Sequence, residues 1–92
     1  MRFIINPNGH YFIIAEGVDM KGAPYAGCQH FDSQADMLDA VTQQQGLTLE
    51  EIEGSEFVID YRDDTGQLVC TDDRGGQEEV TELASYLIQY EL

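Results

Sequence analysis

Residues 55–73 constrain the fold of this chain more than any other stretch. Two runs rich in β-branched and aromatic residues, 55–62 and 67–73, flank a polar turn that contains Gly66. Such a pattern predicts an antiparallel β-hairpin. The same stretch carries six acidic residues, so one element supplies both a hydrophobic strand pair and a negative surface. These acids are Glu56, Asp60, Asp63, Asp64, Asp72 and Asp73.

A second hairpin is predicted at the start of the sequence. Residues 2–6 and 10–16 form two apolar runs on either side of the turn Pro7-Asn8-Gly9. Asn-Gly favours the left-handed backbone conformations that tight hairpin turns need. Both runs carry successive apolar residues, which indicates a central place in the sheet or coverage on both faces. Residues 28–31 are predicted to form a short third strand after a glycine-rich loop over 17–27.

A first helix and a short acidic turn are predicted from capping signals. Asp32 or Ser33 caps the helix, and Gly46 ends it in the left-handed conformation. A helical turn over residues 49–53 follows, with Thr48 as its cap and Gly54 as its stop. The helix is expected to bury Ala35, Met37, Leu38 and Val41.

The last helix is predicted to begin near Gln77–Glu79. Its apolar residues recur at i, i+3, i+4, i+7 and i+8, which gives one continuous face. Glu78, Glu79 and Glu82 would then lie at the positive end of the helix. Tyr86 and Tyr90 are expected to be half-buried beside that face or, alternatively, aromatic contacts at an interface. The face consists of Val80, Leu83, Ala84, Leu87 and Ile88.

Together these elements predict a single acidic α+β domain over residues 1–92. We expect an antiparallel sheet of about four strands, made of two hairpins, with two helices packed on one face. A chain of this length buries roughly 60–65% of its unfolded surface, which allows one core. No apolar run approaches the ~18 residues of a membrane span, and residues 1–9 lack the features of a signal peptide. We therefore expect a cytosolic protein.

Acidic residues dominate the charge of the chain. Eighteen acids against four bases give a net charge of −14. Residues 1–49 carry five acids and two bases, a net of −3, whereas residues 50–92 carry thirteen acids and two bases, a net of −11. Such a field repels nucleic acid and anionic membranes and speeds encounter with basic surfaces. Solubility alone needs no clustering, so the asymmetry favours a functional acidic face.

Two metal-site patterns are suggested by the sequence, and both are incomplete. An EF-hand alignment with Gly66 at the sixth position leaves Tyr61 where the first oxygen ligand is needed, and its flanks are predicted strands. Cys28, His30 and Asp32 alternate along one predicted strand, but three such residues rarely converge on a zinc tetrahedron. We expect neither a metal nor another cofactor.

No pattern typical of catalysis is present in the sequence. The pair Gly75-Gly76 precedes acidic residues, which is the wrong charge for binding phosphate. A nucleophile–base pair would have to join a cysteine to one of the two histidines, and no local context supports it. The sequence therefore favours a protein that is not an enzyme. Cys28 and Cys70 are expected to be small core thiols.

In size, charge and layout, the chain resembles the small anti-CRISPR proteins encoded by phages, most of all the inhibitors of type I-F surveillance (Csy) complexes. The resemblance covers the whole chain, including the hairpin over residues 1–16 and the acidic stretch from 50 to 82. It implies an inhibitor in the host cytoplasm that occupies a crRNA-guided complex where target DNA enters or pairs. These proteins share no common motif, so the resemblance assigns no role to any single residue.

Electrostatics predicts which residues would contact such a complex. Protein channels for a heteroduplex are lined with lysine and arginine, and carboxylates pair with these through charge-assisted hydrogen bonds. A less charged face within residues 17–34 is expected to contact protein or crRNA. The predicted contact residues are Glu50, Glu51, Glu53, Asp63, Asp64, Asp72, Asp73, Glu78 and Glu79 on the acidic side, and Lys21, Tyr25, His30 and Asp32 on the other.

Other functions are compatible with the same charge pattern. One is an immunity protein or antitoxin that blocks a basic nuclease. Another is an acidic protein-binding adaptor, and a third is a housekeeping domain without an inhibitory role. Only the housekeeping domain predicts no tight basic partner. Neither a membrane nor free DNA is an expected partner in any of these cases.

Overall fold

The computed structural model describes residues 1–20, 27–62 and 65–90. The strands in these ranges are β1 (Arg2–Ile5), β2 (Tyr11–Ile14), β3 (Gln29–Phe31), β4 (Phe57–Tyr61), β5 (Leu68–Thr71) and β6 (Gln77–Glu79). The helices are α1 (Gln34–Gln45), α2 (Leu49–Ile52) and α3 (Leu83–Gln89). The α+β class predicted from the sequence is confirmed.

The sheet is mixed and larger than predicted. Its strand order is β3-β1-β2-β4-β5-β6. Both predicted hairpins are present, β1–β2 and β4–β5, but β2 and β4 pair in parallel. The prediction of about four purely antiparallel strands is therefore wrong. The segment that contains α1 and α2 supplies the long crossover that a parallel pair requires.

Strand β6 could not be predicted from the sequence, because its residues, Gln77, Glu78 and Glu79, are all polar and exposed. An apolar or alternating pattern is the signal by which strands are predicted, and an edge strand in solvent need not carry one. Residues 77–79 pair antiparallel with β5. The prediction that the last helix begins here is wrong, since α3 begins six residues after Gln77, at Leu83.

The helices lie on opposite faces of the sheet, so the prediction that both pack on one face is wrong. Val80, Leu83 and Leu87 pack against Ile4 and Phe12. Met37, Leu38 and Val41 of α1, with Ile52 of α2, form a second core with Ile5. Ile4 and Ile5 are neighbours on β1, and side chains alternate along a strand. The successive apolar residues of β1 and β2 therefore reflect coverage on both faces.

Local signals at the ends of α1 and α2 are confirmed. The Ser33 hydroxyl accepts a hydrogen bond from the Asp36 N–H at 3.1 Å. Gly46 ends α1 in the left-handed conformation with φ of 70°. The Thr48 hydroxyl caps α2 by accepting from the Glu51 N–H at 3.3 Å. Ala35, which was expected to be buried, is exposed.

Two hairpin turns share one construction. The Asn6 Oδ1 accepts hydrogen bonds from the N–H groups of Asn8 and His10, at 3.0 and 2.8 Å. The Asp72 Oδ1 accepts from residues at the same offsets, Arg74 and Gly76, at 2.9 and 2.8 Å. Each turn places a glycine with positive φ three residues after the Asn or Asp. Such side chains bond the backbone and thereby favour tight turns.

Asn6 also joins its turn to the end of α3. Asn6 is only 3% exposed. Its Nδ2 donates to the carbonyl oxygens of Leu87 and Tyr90, each at 2.8 Å. The last carbonyl groups of a helix lack partners within the helix. The buried side chain of Asn6 therefore forms hydrogen bonds both with backbone N–H groups of its turn and with backbone carbonyl groups at the end of α3.

None of the helices found in the described ranges has the length and apolar character needed to cross a membrane.

Candidate partner-binding site

The predicted contact residues lie in three separate places. Asp72, Asp73, Glu78 and Glu79 belong to the β5–β6 hairpin at one edge of the sheet. Glu50, Glu51 and Glu53 lie on or directly after α2, and His30 and Asp32 lie on or after β3 at the opposite edge. Five strand intervals of about 4.8 Å separate β3 from β6, which is about 24 Å. Lys21, Tyr25, Asp63 and Asp64 lie outside the described residues.

The β6 edge concentrates carboxylates on an open strand. Glu78 and Glu79 are both exposed, and they point to opposite faces because they are consecutive in a strand. β6 is the last strand of the sheet, so the outer side of its backbone has no strand neighbour in the described part of the chain. Exposed edges of this kind present backbone N–H and C=O groups to a partner.

One face of the β4–β5–β6 half of the sheet forms a shallow groove. Helix α1 lies against β1, β2 and β3, and Val58 on β4 is 36% exposed. The groove has a volume of about 560 Å³. A guanidinium nitrogen of Arg62 lies 4.0 Å from a carboxylate oxygen of Glu79. The lining residues are Val58, Asp60, Tyr61, Arg62, Val69, Thr71 and Gln77.

On the opposite face of the sheet, the same β4–β5–β6 half carries a pocket with aromatic walls. Phe57 comes from β4, whereas Tyr86 and Tyr90 come from α3 and the residue after it. Glu78 and Asp72 add carboxylates at its rim, and the pocket has a volume of about 250 Å³. We call it the aromatic pocket; its remaining lining residues are Cys70, Gly76 and Gln77.

Hydrogen bonds hold one wall of the aromatic pocket in place. The Tyr86 hydroxyl donates to Glu78 Oε2 at 3.3 Å. Burial, a hydrogen bond with Cys70 and the nearby charge of Glu78 raise the pKa of Tyr86. Burial also raises the pKa of Tyr90 and of the Cys70 thiol, and the carboxylates of Glu78 and Asp72 act in the same direction. Both tyrosines therefore stay neutral well above neutral pH.

Alkaline pH is expected to destabilise the fold through this cluster. The folded protein holds the protons of Cys70, Tyr86 and Tyr90 after the unfolded chain has lost them. Their contribution to stability is fully present below the unfolded pKa values, about 8.5 for cysteine and 10 for tyrosine. It is lost as the pH rises above them. Urea unfolding between about pH 8 and pH 11 should show this decline.

Tyr86→Phe is expected to flatten the decline above about pH 10, because it removes one of the ionising groups. Tyr61→Phe is the matched control, since it removes a tyrosine that is 40% exposed and outside the pocket. Equal slopes in the two variants would show that Tyr86 does not contribute.

Only part of the aromatic pocket could be predicted from the sequence. Tyr86 and Tyr90 are half-buried, as predicted from their spacing beside an apolar face. Phe57 and Cys70 had no local signal, because they join the pocket through strand pairing and not through spacing. Asp72 was predicted as a contact residue, but one of its oxygens is engaged by its own turn.

Within the described ranges, no group of three His, Cys, Asp or Glu side chains is arranged to hold a metal ion. His30 is exposed, Cys28 is half-buried, and both cysteines are free thiols. Cys70 is buried, as expected of a core thiol.

No protein family, curated protein or solved structure matches this chain.

Proposed function

We propose that this protein is an inhibitor that binds a basic surface of a nucleic-acid-binding protein complex and blocks its access to nucleic acid. The partner suggested by the resemblance is a type I-F CRISPR surveillance complex, with additional contacts to crRNA. Blocking target DNA binding or hybridisation would then take place in the host cytoplasm. The net charge of −14 supports attraction to a basic channel and disfavours binding to free DNA.

The single observation that carries the proposal is the acidic β6 edge. Two exposed glutamates stand on opposite faces of an edge strand, and two further acids occupy the adjoining turn. The strand and the Asx turn fix the backbone positions from which these side chains extend. Carboxylates form strong charge-assisted hydrogen bonds with arginine and lysine. The β6 edge therefore supplies the charge pattern that a basic partner requires.

A competition experiment with purified components tests this proposal. A purified type I-F surveillance complex is mixed with labelled target duplex and increasing amounts of this protein. We expect loss of DNA binding at about 0.1 M salt, and weaker inhibition as screening increases toward about 0.5 M. Unchanged DNA binding at a saturating concentration of the protein would contradict the proposal.

Two double variants with the same change in net charge locate the contact. Asp73→Asn with Glu79→Gln removes two carboxylates from the β5–β6 hairpin and spares Asp72, whose oxygen supports the turn. Asp36→Asn with Asp39→Asn removes two from the exposed side of α1. We expect about tenfold weaker inhibition from the first and less than twofold from the second. Equal weakening would indicate attraction by net charge alone.

A further inference from the structure

We propose that the aromatic pocket binds the guanidinium group of an arginine side chain presented by the basic partner. This inference rests on the proposed function, because the partner proposed there would supply the arginine. The preference for a guanidinium group rests on the residues that line the pocket. The β6 edge accounts for attraction to a basic surface. The aromatic pocket would add a specific anchor within it.

The walls of the pocket are rings set at an angle to one another. The centroids of Phe57 and Tyr90 are 5.4 Å apart with an interplanar angle of 87°, and those of Tyr86 and Tyr90 are 5.2 Å apart at 48°. Phe57 and Tyr90 therefore meet edge to face, Tyr86 and Tyr90 meet at a tilt, and the three rings together line one side of the pocket. Aromatic faces attract cations through their quadrupole, most strongly when solvent is excluded.

The rings are braced from beneath. Phe12 is fully buried, and its centroid lies 5.8 Å from those of both Phe57 and Tyr90. His10 stacks on Phe57 at 5.0 Å and meets Tyr90 edge-on at 4.6 Å. The walls are therefore held in position before any ligand arrives, which lowers the ordering cost of binding.

The rim of the pocket is negative, and no basic residue is among the described residues that line it. Glu78 is exposed and already accepts one hydrogen bond from the Tyr86 hydroxyl. Asp72 extends over Gly76, where a Cβ would lie only 2.8 Å from Asp72 Oδ2. The absence of a side chain at Gly76 therefore leaves room for this carboxylate. Aromatic walls and two carboxylates together form a site for an organic cation.

Of the two cationic side chains that dominate a basic protein surface, arginine fits the pocket better than lysine. Its planar face stacks on aromatic rings while its edge donates hydrogen bonds to carboxylates in a fixed fork. A volume of about 250 Å³ exceeds what a compact ammonium needs, since one water occupies about 30 Å³. An ammonium also retains its hydration more strongly than a guanidinium does.

NMR titration with small probes tests the pocket without the partner. The probes are Nα-acetyl-arginine amide, Nα-acetyl-lysine amide and Nα-acetyl-citrulline amide, the last being a neutral analogue of arginine. We expect saturable shifts of the ring signals of Phe57, Tyr86 and Tyr90 with arginine at millimolar concentration, at least about threefold weaker binding of lysine, and none of citrulline. Equal binding of arginine and lysine, or binding of citrulline, would overturn the guanidinium assignment.

Adjacent residues of β6 provide matched variants. Glu78→Gln removes a carboxylate from the pocket, whereas Glu79→Gln removes the same charge from the opposite face of the strand. Both residues are exposed, so both variants should fold. We expect about fivefold weaker arginine binding from Glu78→Gln and less than twofold from Glu79→Gln. Equal losses would overturn the pocket as the binding site.

Glu78→Gln also separates this inference from the proposed function. If Glu78→Gln weakens inhibition of the surveillance complex and arginine binding together, the pocket anchors the partner. If wild-type protein inhibits and Glu78→Gln inhibits equally well, the inference fails while the proposed function stands. If arginine binds the pocket but the complex is not inhibited, the proposed function fails. The pocket would then bind arginine, but the surveillance complex would not be its source.

Discussion

Asn6→Asp is expected to destabilise the fold by about 3–5 kcal/mol, although it changes only one group of nearly the same shape. Aspartate would keep the oxygen that accepts from the turn N–H groups of Asn8 and His10. It would replace the donor to the carbonyls of Leu87 and Tyr90 with a negative oxygen facing both. A charge at a site only 3% exposed would then lie away from solvent and face two carbonyl oxygens.

Asn8→Asp is the matched control for this change. The Asn8 side chain also donates to the Tyr90 carbonyl at 2.8 Å, but it is exposed. Water can replace that hydrogen bond, so we expect a loss below about 1 kcal/mol. Urea unfolding followed by far-UV circular dichroism measures both variants. Similar losses from the two substitutions would show that burial of Asn6 does not determine its importance.

Phe12→Ala is expected to cost a similar amount, about 3–5 kcal/mol. Phe12 is fully buried in the central strand β2, and its ring contacts those of Phe57, Tyr86 and Tyr90. The truncation would leave a cavity between the sheet and α3. It would also remove the brace beneath the aromatic pocket, so we expect arginine binding to be lost even where the variant remains folded.

Phe31→Ala tests whether this cost depends on position. Phe31 is half-buried on the edge strand β3, against the other core. Its truncation should cost about half as much, because solvent can fill the space, and it should leave arginine binding unchanged. Domains of this size unfold with roughly 5–14 kcal/mol, so thermal unfolding should detect either loss. A Phe12→Ala variant that retains wild-type arginine binding would show that the brace is unnecessary.

Features set by a few neighbouring residues were predicted well from the sequence. Asn8-Gly9 indicated the first hairpin, and Ser33, Gly46 and Thr48 marked the ends of α1 and α2, because these signals act through local hydrogen bonds and backbone preferences. The parallel pairing of β2 with β4 could not be obtained in this way. This pairing depends on contacts between residues far apart in the sequence, which form only after the long crossover that contains α1 and α2.

The aromatic pocket shows the same difference between local signals and long-range strand pairing. Tyr86 and Tyr90 are one helical turn apart, so their proximity could be predicted from spacing alone. Phe57, Asp72 and Glu78 join them only after β4, β5 and β6 have paired in register. The helical interpretation of Gln77–Glu79 would have placed Glu78 at the start of the last helix, and not across from Cys70 on the sheet.

The composition of β6 also bears on how this protein behaves at high concentration. Open edge strands invite other copies of a chain to extend the sheet, which is a common route to aggregation. Two copies meeting through β6 would bring the glutamates of one strand beside those of the other. Like charges at such close range repel, and no apolar side chain of β6 could offset the repulsion. The glutamates therefore disfavour pairing of β6 with the β6 strand of another copy, while the backbone of the edge stays accessible to a positively charged chain.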